Sequence, residues 1–148
     1  MSFISLNYHI VFSTKERRAF IRDDVAERLY AYLGGTIAQM DGVALAVGGA
    51  ADHVHIVASL SAKRALMDIL RDLKANSSRW VHENFRDLPD FDWQDGYSAF
   101  SVSASVLPKV VDYVRGQREH HRKMTFQEEL IALLKRHGVK YDERHVFG

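Results

Sequence analysis

Short apolar segments rich in aromatic and β-branched residues recur along the chain and predict the strands of a sheet. The first of them, Phe3–Phe12, is almost continuously apolar, which predicts a largely buried strand. Val43–Val47 and His53–Leu60 predict two adjacent strands, and the glycine-containing stretch Gly48–Asp52 predicts the turn between them. The alternation of polar and apolar residues in Tyr97–Ser103 predicts a fourth strand.

Apolar residues at helical spacing, together with capping residues, predict four helices. Their predicted extents are Asp24 to Gly42, Ser61 past Trp80, Ser105 past Gln117, and Thr125 to Lys135. The element order is therefore strand, helix, strand, strand, helix, strand and then two helices. This order predicts an α+β sandwich of the ferredoxin-like or RRM-like type, with helices packed on one face of an antiparallel sheet and extra C-terminal helices.

The composition is that of one soluble globular domain over residues 1–148. Apolar residues make up 47% and charged residues 26%, and no apolar run approaches the roughly 18 residues that suggest a membrane span. The N-terminus lacks the basic leader and cleavage site of a signal peptide, and the chain contains no cysteine. We therefore expect a cytoplasmic protein that makes no membrane contact.

Two histidines, His53 and His55, stand two residues apart on a predicted strand. Such residues project from the same face of a sheet, so one short segment can offer two imidazoles to a single divalent metal ion. The spacing alone also fits a pair of structural histidines, and both interpretations stay open on this evidence. The neighbouring Asp52 can either orient a histidine or close the turn, and the turn is favoured.

Tyr113 and Gln117 stand four residues apart on the third predicted helix and share one of its faces. A stripe with Tyr113 and Val114 fits an ordinary helix core, but a buried Gln117 amide would need polar partners there. A phenol next to a Lewis acid is suited to phosphoryl transfer, so a polar site at this edge is the alternative. His120 and His121 are more simply explained as solvated residues near the helix end.

Basic residues cluster in three parts of the chain, although the net charge is only +1. Mixed surface charge is normal, so solvated helix faces are the simpler explanation unless other motifs point to nucleic acid. The clustered cations are Lys15, Arg17, Arg18 and Arg22; Lys63, Arg64, Arg71, Lys74 and Arg79; and Arg115, Arg118, Arg122 and Lys123.

An ordered set of motifs runs through the chain: Tyr8–Lys15, Asp52–His55, Leu73–Trp80, Tyr97–Ser103, Tyr113–His121 and Phe126–Glu129. With this set the chain resembles the transposases of the IS200/IS605 family, which belong to the HUH single-strand endonucleases. The resemblance covers nearly the whole chain. It departs from the family pattern at residues 48–51, where the family usually has a bulkier stretch, and this departure changes the expected shape of the loop rather than the chemistry.

The resemblance implies that His53, His55 and Gln117 bind Mg²⁺ or Mn²⁺ and that Tyr113 is the nucleophile. Attack of the tyrosine on a DNA phosphate leaves a 5′-phosphotyrosine, which permits rejoining without ATP. The implied substrate is single-stranded DNA with hairpins at the element ends, bound by a homodimer in which Tyr113 can complete the partner's metal site. The residues expected to contact phosphates are Lys15, Arg17, Arg18, Lys74, Arg79 and Arg115.

Two other function classes fit parts of the sequence. A replication-initiating or conjugative nicking enzyme would carry the same kind of site, but such enzymes are usually longer chains. A non-catalytic module that binds single-stranded nucleic acid would explain the basic and aromatic residues, but it leaves His53, His55 and Gln117 without a role. An inactive relative would retain the motifs without the activity.

Overall fold

The computed structural model describes residues 1–120 and 123–147, without the side chains of Arg118 and His120. Within this part of the chain the strands are β1 (Asn7–Ser13), β2 (Val43–Ala50), β3 (His53–Ser59) and β4 (Ser98–Val102). They form one antiparallel sheet in the order β2-β3-β1-β4. The predicted α+β class, with an antiparallel sheet, is confirmed.

Helices connect the strands and follow the sheet. A single 3-10 turn at Lys15–Arg17 follows β1, and the predicted third helix is divided at Gly116 into two helices. The helices are α1 (Asp23–Gln39), α2 (Leu66–Asn84), α3 (Leu107–Arg115), α4 (Gln117–His120) and α5 (Phe126–Arg136). None of those in residues 1–120 and 123–147 combines the length and hydropathy needed to cross a bilayer.

One face of the sheet is covered by α1 and α2 and is predominantly apolar. Alternate residues of the two central strands point to this face, because side chains along a strand alternate between its two sides. They pack against apolar residues of the two helices in a single buried cluster. The strand residues in this cluster include Ile10, Phe12, Val54, Ile56 and Ala58.

The opposite face of the sheet is covered by the C-terminal helices. Val11 and Phe100 pack with residues of α5 in one apolar cluster, and Ala46 and Val57 pack with Val114 of α3 in another. The extra C-terminal helices therefore lie across the sheet from α1 and α2. The side chains of His53 and His55 also point to this face, since they alternate with Val54 and Ile56 along β3.

A glycine lets α3 lie directly on the sheet. This glycine, Gly48, lies in β2 and not in a turn. The predicted turn Gly48–Asp52 was wrong in its extent, because β2 continues to Ala50 and only Ala51 and Asp52 lie between the paired strands. A Cβ atom at Gly48 would lie 2.3 Å from the Val114 carbonyl oxygen, so no other residue fits here without displacement of α3. This contact fixes α3, and with it Tyr113, against β2.

Candidate metal centre and nucleophile

His53 and His55 are both fully buried and lie side by side on β3, with ring centroids 5.1 Å apart. The prediction that they share a face of the sheet is therefore confirmed. Each ring is held through its Nδ1 atom: that of His53 lies 2.7 Å from Asp52 Oδ1, and that of His55 lies 2.7 Å from His9 Nε2. The Nε2 atoms of both rings are left facing the C-terminal helices.

Asp52 serves both of the roles between which the sequence left a choice. Its carboxylate can only accept a hydrogen bond, so it fixes the proton of His53 on Nδ1 and leaves Nε2 directed into the site. Its backbone carbonyl also accepts a hydrogen bond from the Thr14 amide at 2.9 Å, which fastens the turn to the end of β1. The favoured interpretation, that Asp52 closes the turn, is therefore correct but incomplete, because Asp52 also orients His53.

Glu129 of α5 faces both histidines with a buried carboxylate that is only 1% exposed. Its Oε1 atom lies 2.8 Å from His55 Nε2 and 3.4 Å from His53 Nε2. The three residues each offer a ligand atom, and these atoms lie within 4.8 Å of one another. Glu129 is not among the site residues predicted from the sequence, although its place on the apolar stripe of Phe126 and Leu130 indicates a buried carboxylate.

Gln117 enters the same cluster from α4 and is also 1% exposed. Its Oε1 atom lies 3.4 Å from His53 Nε2, and its Nε2 atom donates a hydrogen bond to Glu129 Oε2 at 3.0 Å. The buried Gln117 amide therefore has polar partners in this site, which a purely apolar helix core would not provide.

Tyr113 completes the cluster from α3, where its ring is half-buried. Its hydroxyl donates a hydrogen bond to Glu129 Oε2, and its ring centroid lies 5.9 Å from that of His55. Burial raises the pKa of the Tyr113 phenol, and the hydrogen bond to Glu129 raises it further. The hydroxyl is thus held protonated beside the histidines.

Burial affects the pKa of His53, which belongs to the site, differently from that of His9, which lies behind His55. Burial lowers the pKa of His53, but the hydrogen bonds to Asp52 and Glu129 outweigh burial and raise it above the usual value. Burial, and then repulsion from His55, lower the pKa of His9 to about 3. His9, which is also not among the site residues predicted from the sequence, is therefore a neutral partner that supports the His55 ring.

These donors fit a divalent metal ion. Two imidazole nitrogens, a carboxylate oxygen and an amide oxygen converge from His53, His55, Glu129 and Gln117, and all four side chains are buried. Imidazole suits many divalent transition metals, whereas carboxylate and carbonyl oxygens suit Mg²⁺ and Mn²⁺. The mixed set does not select one ion.

A family model described as "Transposase IS200 like" matches residues 2–117 of the chain. The chain belongs to this family. Transposase activity is accordingly its function class. The chain is 24% identical over 119 residues to the ISDra2 transposase TnpA of Deinococcus radiodurans, covering 77% of this chain and 85% of that protein. It is 27% identical over 121 residues to the transposase for insertion sequence element IS200 of Salmonella typhimurium, covering 78% of each chain.

Solved structures resemble this IS200-like transposase in fold. A candidate transposase from Deinococcus radiodurans R1 superposes with a TM-score of 0.65 and 25% sequence identity, covering 78% of this chain and 93% of that one. A REP-associated tyrosine transposase bound to a REP hairpin superposes with a TM-score of 0.60 and 14% identity, covering 82% of this chain and 72% of that one. The second likeness is one of fold alone.

The cations of the transposase that were expected to contact phosphates lie on three surfaces. Lys15, Arg17 and Arg18 belong to the turn after β1, where Arg17 Nη1 donates a hydrogen bond to the Phe147 carbonyl at 3.3 Å. Arg115 is exposed at the end of α3. His121 and Arg122 lie outside the described residues.

Lys74 and Arg79 line a groove of about 650 Å³ between α2 and residues 92–97. The Lys74 ammonium donates hydrogen bonds to the carbonyls of Gln94 at 2.5 Å and Gly96 at 2.8 Å, and burial lowers its pKa. Arg79 is exposed and donates a hydrogen bond to Asn76 Oδ1 at 3.2 Å. Lys74 therefore fastens the loop to α2, while Arg79 presents its charge to solvent.

Proposed function

We propose that this IS200-like transposase cleaves and rejoins single-stranded DNA through a 5′-phosphotyrosine on Tyr113. The observation that carries the proposal is the position of the Tyr113 hydroxyl, which shares the Glu129 carboxylate with two buried histidines. A phenol in such a place is beside the atoms best suited to hold a metal ion. This arrangement is suited to nucleophilic attack on a phosphodiester.

In the proposed reaction, the Tyr113 oxygen forms a bond to the scissile phosphorus and the bond from phosphorus to the 3′ oxygen breaks. The phenol gives up its proton and the departing 3′ oxygen takes one up, so the products are a 5′-phosphotyrosine and a free 3′-hydroxyl. A divalent ion such as Mg²⁺ or Mn²⁺, held by His53, His55 and Gln117, would stabilise negative charge on the phosphate oxygens. Attack by another 3′-hydroxyl reverses the exchange and joins the strands.

The proposed substrate is a single strand with hairpins near the element ends. A structural neighbour of this chain is described as bound to a REP hairpin, which supports the class of substrate but not its sequence. Lys15, Arg17, Arg18, Arg79 and Arg115 are the proposed phosphate contacts, because cations that neutralise the backbone supply most of the affinity for nucleic acid. The contribution of Lys74 is expected to be smaller, since its ammonium is engaged by two carbonyls.

We infer a homodimer that joins two DNA ends, because one nucleophilic tyrosine per chain makes one cleavage. The site can be completed by Tyr113 of the same chain or by Tyr113 of the partner. Mixing Tyr113→Phe protein with His53→Ala protein tests this directly. Assembly in cis predicts no activity in the mixture, whereas exchange of tyrosines between subunits would restore it.

A fluorescent single-stranded hairpin substrate tests the function itself. We expect a DNA adduct that survives denaturation in Mg²⁺ or Mn²⁺, none in EDTA, and none with Tyr113→Phe in any condition. Tyr32→Phe is the matched control, because Tyr32 stacks on Trp80 across the sheet from the site. An adduct formed by Tyr113→Phe would overturn the proposed nucleophile. DNA binding that ignores chelator, without cleavage, would indicate a non-catalytic module.

A further inference from the structure

We propose that Glu129 is a further active-site residue, in which one carboxylate oxygen joins the metal ligands while the other positions the Tyr113 hydroxyl. This inference rests on the proposed function for its catalytic half, whereas its metal-binding half stands on geometry alone. The helix that carries Glu129, α5, lies beyond residues 2–117, which the family model matches. The residue is therefore not assigned by that match.

The two oxygens of the carboxylate face two different groups of partners. Oε1 lies 2.8 Å from His55 Nε2 and 3.4 Å from His53 Nε2. Oε2 accepts hydrogen bonds from the Tyr113 hydroxyl and from Gln117 Nε2. A single carboxylate thus connects the proposed nucleophile to all three residues expected to bind the metal ion.

The burial of this carboxylate argues for a role in the site. A carboxylate removed from water is costly unless it is paired, and Glu129 is 1% exposed on an α5 face that otherwise buries Phe126, Leu130 and Leu133. A purely structural explanation is that it neutralises His53. That explanation accounts for the Oε1 contacts but gives no reason for Oε2 to hold the hydroxyl of Tyr113.

The first turn of α5 is fixed over the site by two local contacts. Thr125 forms a capping box with Glu128, which leaves the Glu128 side chain exposed and turns Glu129 inward. Phe126 stacks on the His53 ring, with centroids 4.5 Å apart and planes 29° from parallel. The carboxylate is therefore held in place before any ion binds, as a preorganised ligand should be.

The expected ligand of the completed site is a divalent cation that accepts both nitrogen and oxygen ligands, and Mg²⁺ and Mn²⁺ are the candidates that the proposed function implies. The carboxylate adds a negative charge and an oxygen to the two imidazoles and the amide oxygen, and hard cations favour oxygen ligands. Mn²⁺ is the better probe, because its binding can be followed by electron paramagnetic resonance as well as by calorimetry.

The first test measures Mn²⁺ affinity without DNA. Glu129→Gln preserves the shape of the side chain but removes its charge, and we expect it to weaken Mn²⁺ binding by about tenfold or more. Glu128→Gln is the matched control, because it is the adjacent residue, is exposed, and can still form the capping box. Equal affinity of wild type and folded Glu129→Gln would overturn the metal-binding role.

The second test measures how fast the phosphotyrosine adduct forms at saturating Mn²⁺. A positioning role predicts that Glu129→Gln slows adduct formation at least tenfold with unchanged hairpin affinity. Glu129→Asp keeps the charge, so it should recover part of the Mn²⁺ affinity that Glu129→Gln loses. An unchanged adduct rate would overturn positioning. Absence of any adduct from wild type, with Mn²⁺ affinity still dependent on Glu129, would overturn the proposed function but leave the metal site standing.

A third measurement covers the case in which Glu129→Gln does not fold. In wild-type protein labelled with ¹³C at glutamate carboxyl carbons, substoichiometric Mn²⁺ should broaden one buried carboxyl resonance before all others. Uniform broadening of the exposed glutamates instead would overturn coordination by Glu129.

Discussion

The two faces of the sheet differ in what their buried residues are. Along β3, Val54 and Ile56 point to the α1 and α2 face, whereas His53 and His55 point to the C-terminal helices. The first face buries mainly apolar contacts, which need no particular partner. The second buries polar groups that must satisfy one another, and among the described residues no buried side-chain nitrogen or oxygen lacks a hydrogen-bond partner. One strand therefore supplies stability on one side and candidate chemistry on the other.

Shortening a side chain on the apolar face should have the largest effect on stability. Ile56 is fully buried, and Ile56→Ala should lower the free energy of unfolding by about 2–5 kcal/mol through lost contacts and the cavity that remains. Urea unfolding in EDTA measures this loss. Val43→Ala, at a position 57% exposed, should change stability by less than about 0.5 kcal/mol. Equal losses for the two variants would contradict the assigned role of this face.

Metal binding at His53 and His55 should stabilise the protein by an amount that does not depend on the packing of the opposite, apolar face of the sheet. At a Mn²⁺ concentration of about 100 times Kd, the free energy of unfolding should rise by about 2.7 kcal/mol, because only the folded state binds. The double variant His53→Ala, His55→Ala should show no increase in a thermal unfolding assay. Ile56→Ala should show the wild-type increment, and a smaller one would mean that the two faces are coupled.

Removing the support of His53 should have a smaller effect. Asp52→Asn loses the carboxylate that fixes the Nδ1 proton, so Mn²⁺ affinity should fall about tenfold, equivalent to about 1.4 kcal/mol. Calorimetric titration measures the change. Asp90→Asn, at an exposed position, serves as the control. Unchanged affinity in Asp52→Asn would leave Asp52 with the turn as its only role.

The smallest of these effects is expected at the start of α5. Thr125→Ala removes the side-chain cap that accepts a hydrogen bond from the Glu128 amide, and it should lower the free energy of unfolding by about 1 kcal/mol. Thr125→Ser keeps the hydroxyl and should behave like wild type in urea unfolding. If serine and alanine destabilise equally, the cap does not hold the helix over the polar face.

Local patterns in the sequence predicted which face of an element a residue occupies. The spacing of His53 and His55 on a strand, and of Tyr113 and Gln117 along the chain, follows from the periods of strand and helix. Even so, Gly116 ends α3 between Tyr113 and Gln117, so the two residues reach the site from different helices.

Partners distant in the chain could not be predicted in this way. Glu129 meets His55 across 74 positions, and His9 meets it across 46, because β1 and α5 are brought to β3 by the fold. Periodicity gives the face on which a side chain lies, but not the element that will cover that face. The contribution of Glu129 depends on α5 lying over β3, which no local pattern specifies.

Gly48 shows that an intact set of site residues does not guarantee an intact site. It carries no functional group, yet a Cβ atom there would meet the backbone of α3 one residue from Tyr113. A Gly48→Ala variant of this chain would keep both histidines, the tyrosine, the glutamine and the glutamate and would match every motif. Its Cβ atom would nevertheless push α3, and with it the tyrosine, away from the carboxylate. In this chain the reactive side chains therefore depend on a residue beneath α3 that takes no part in the chemistry.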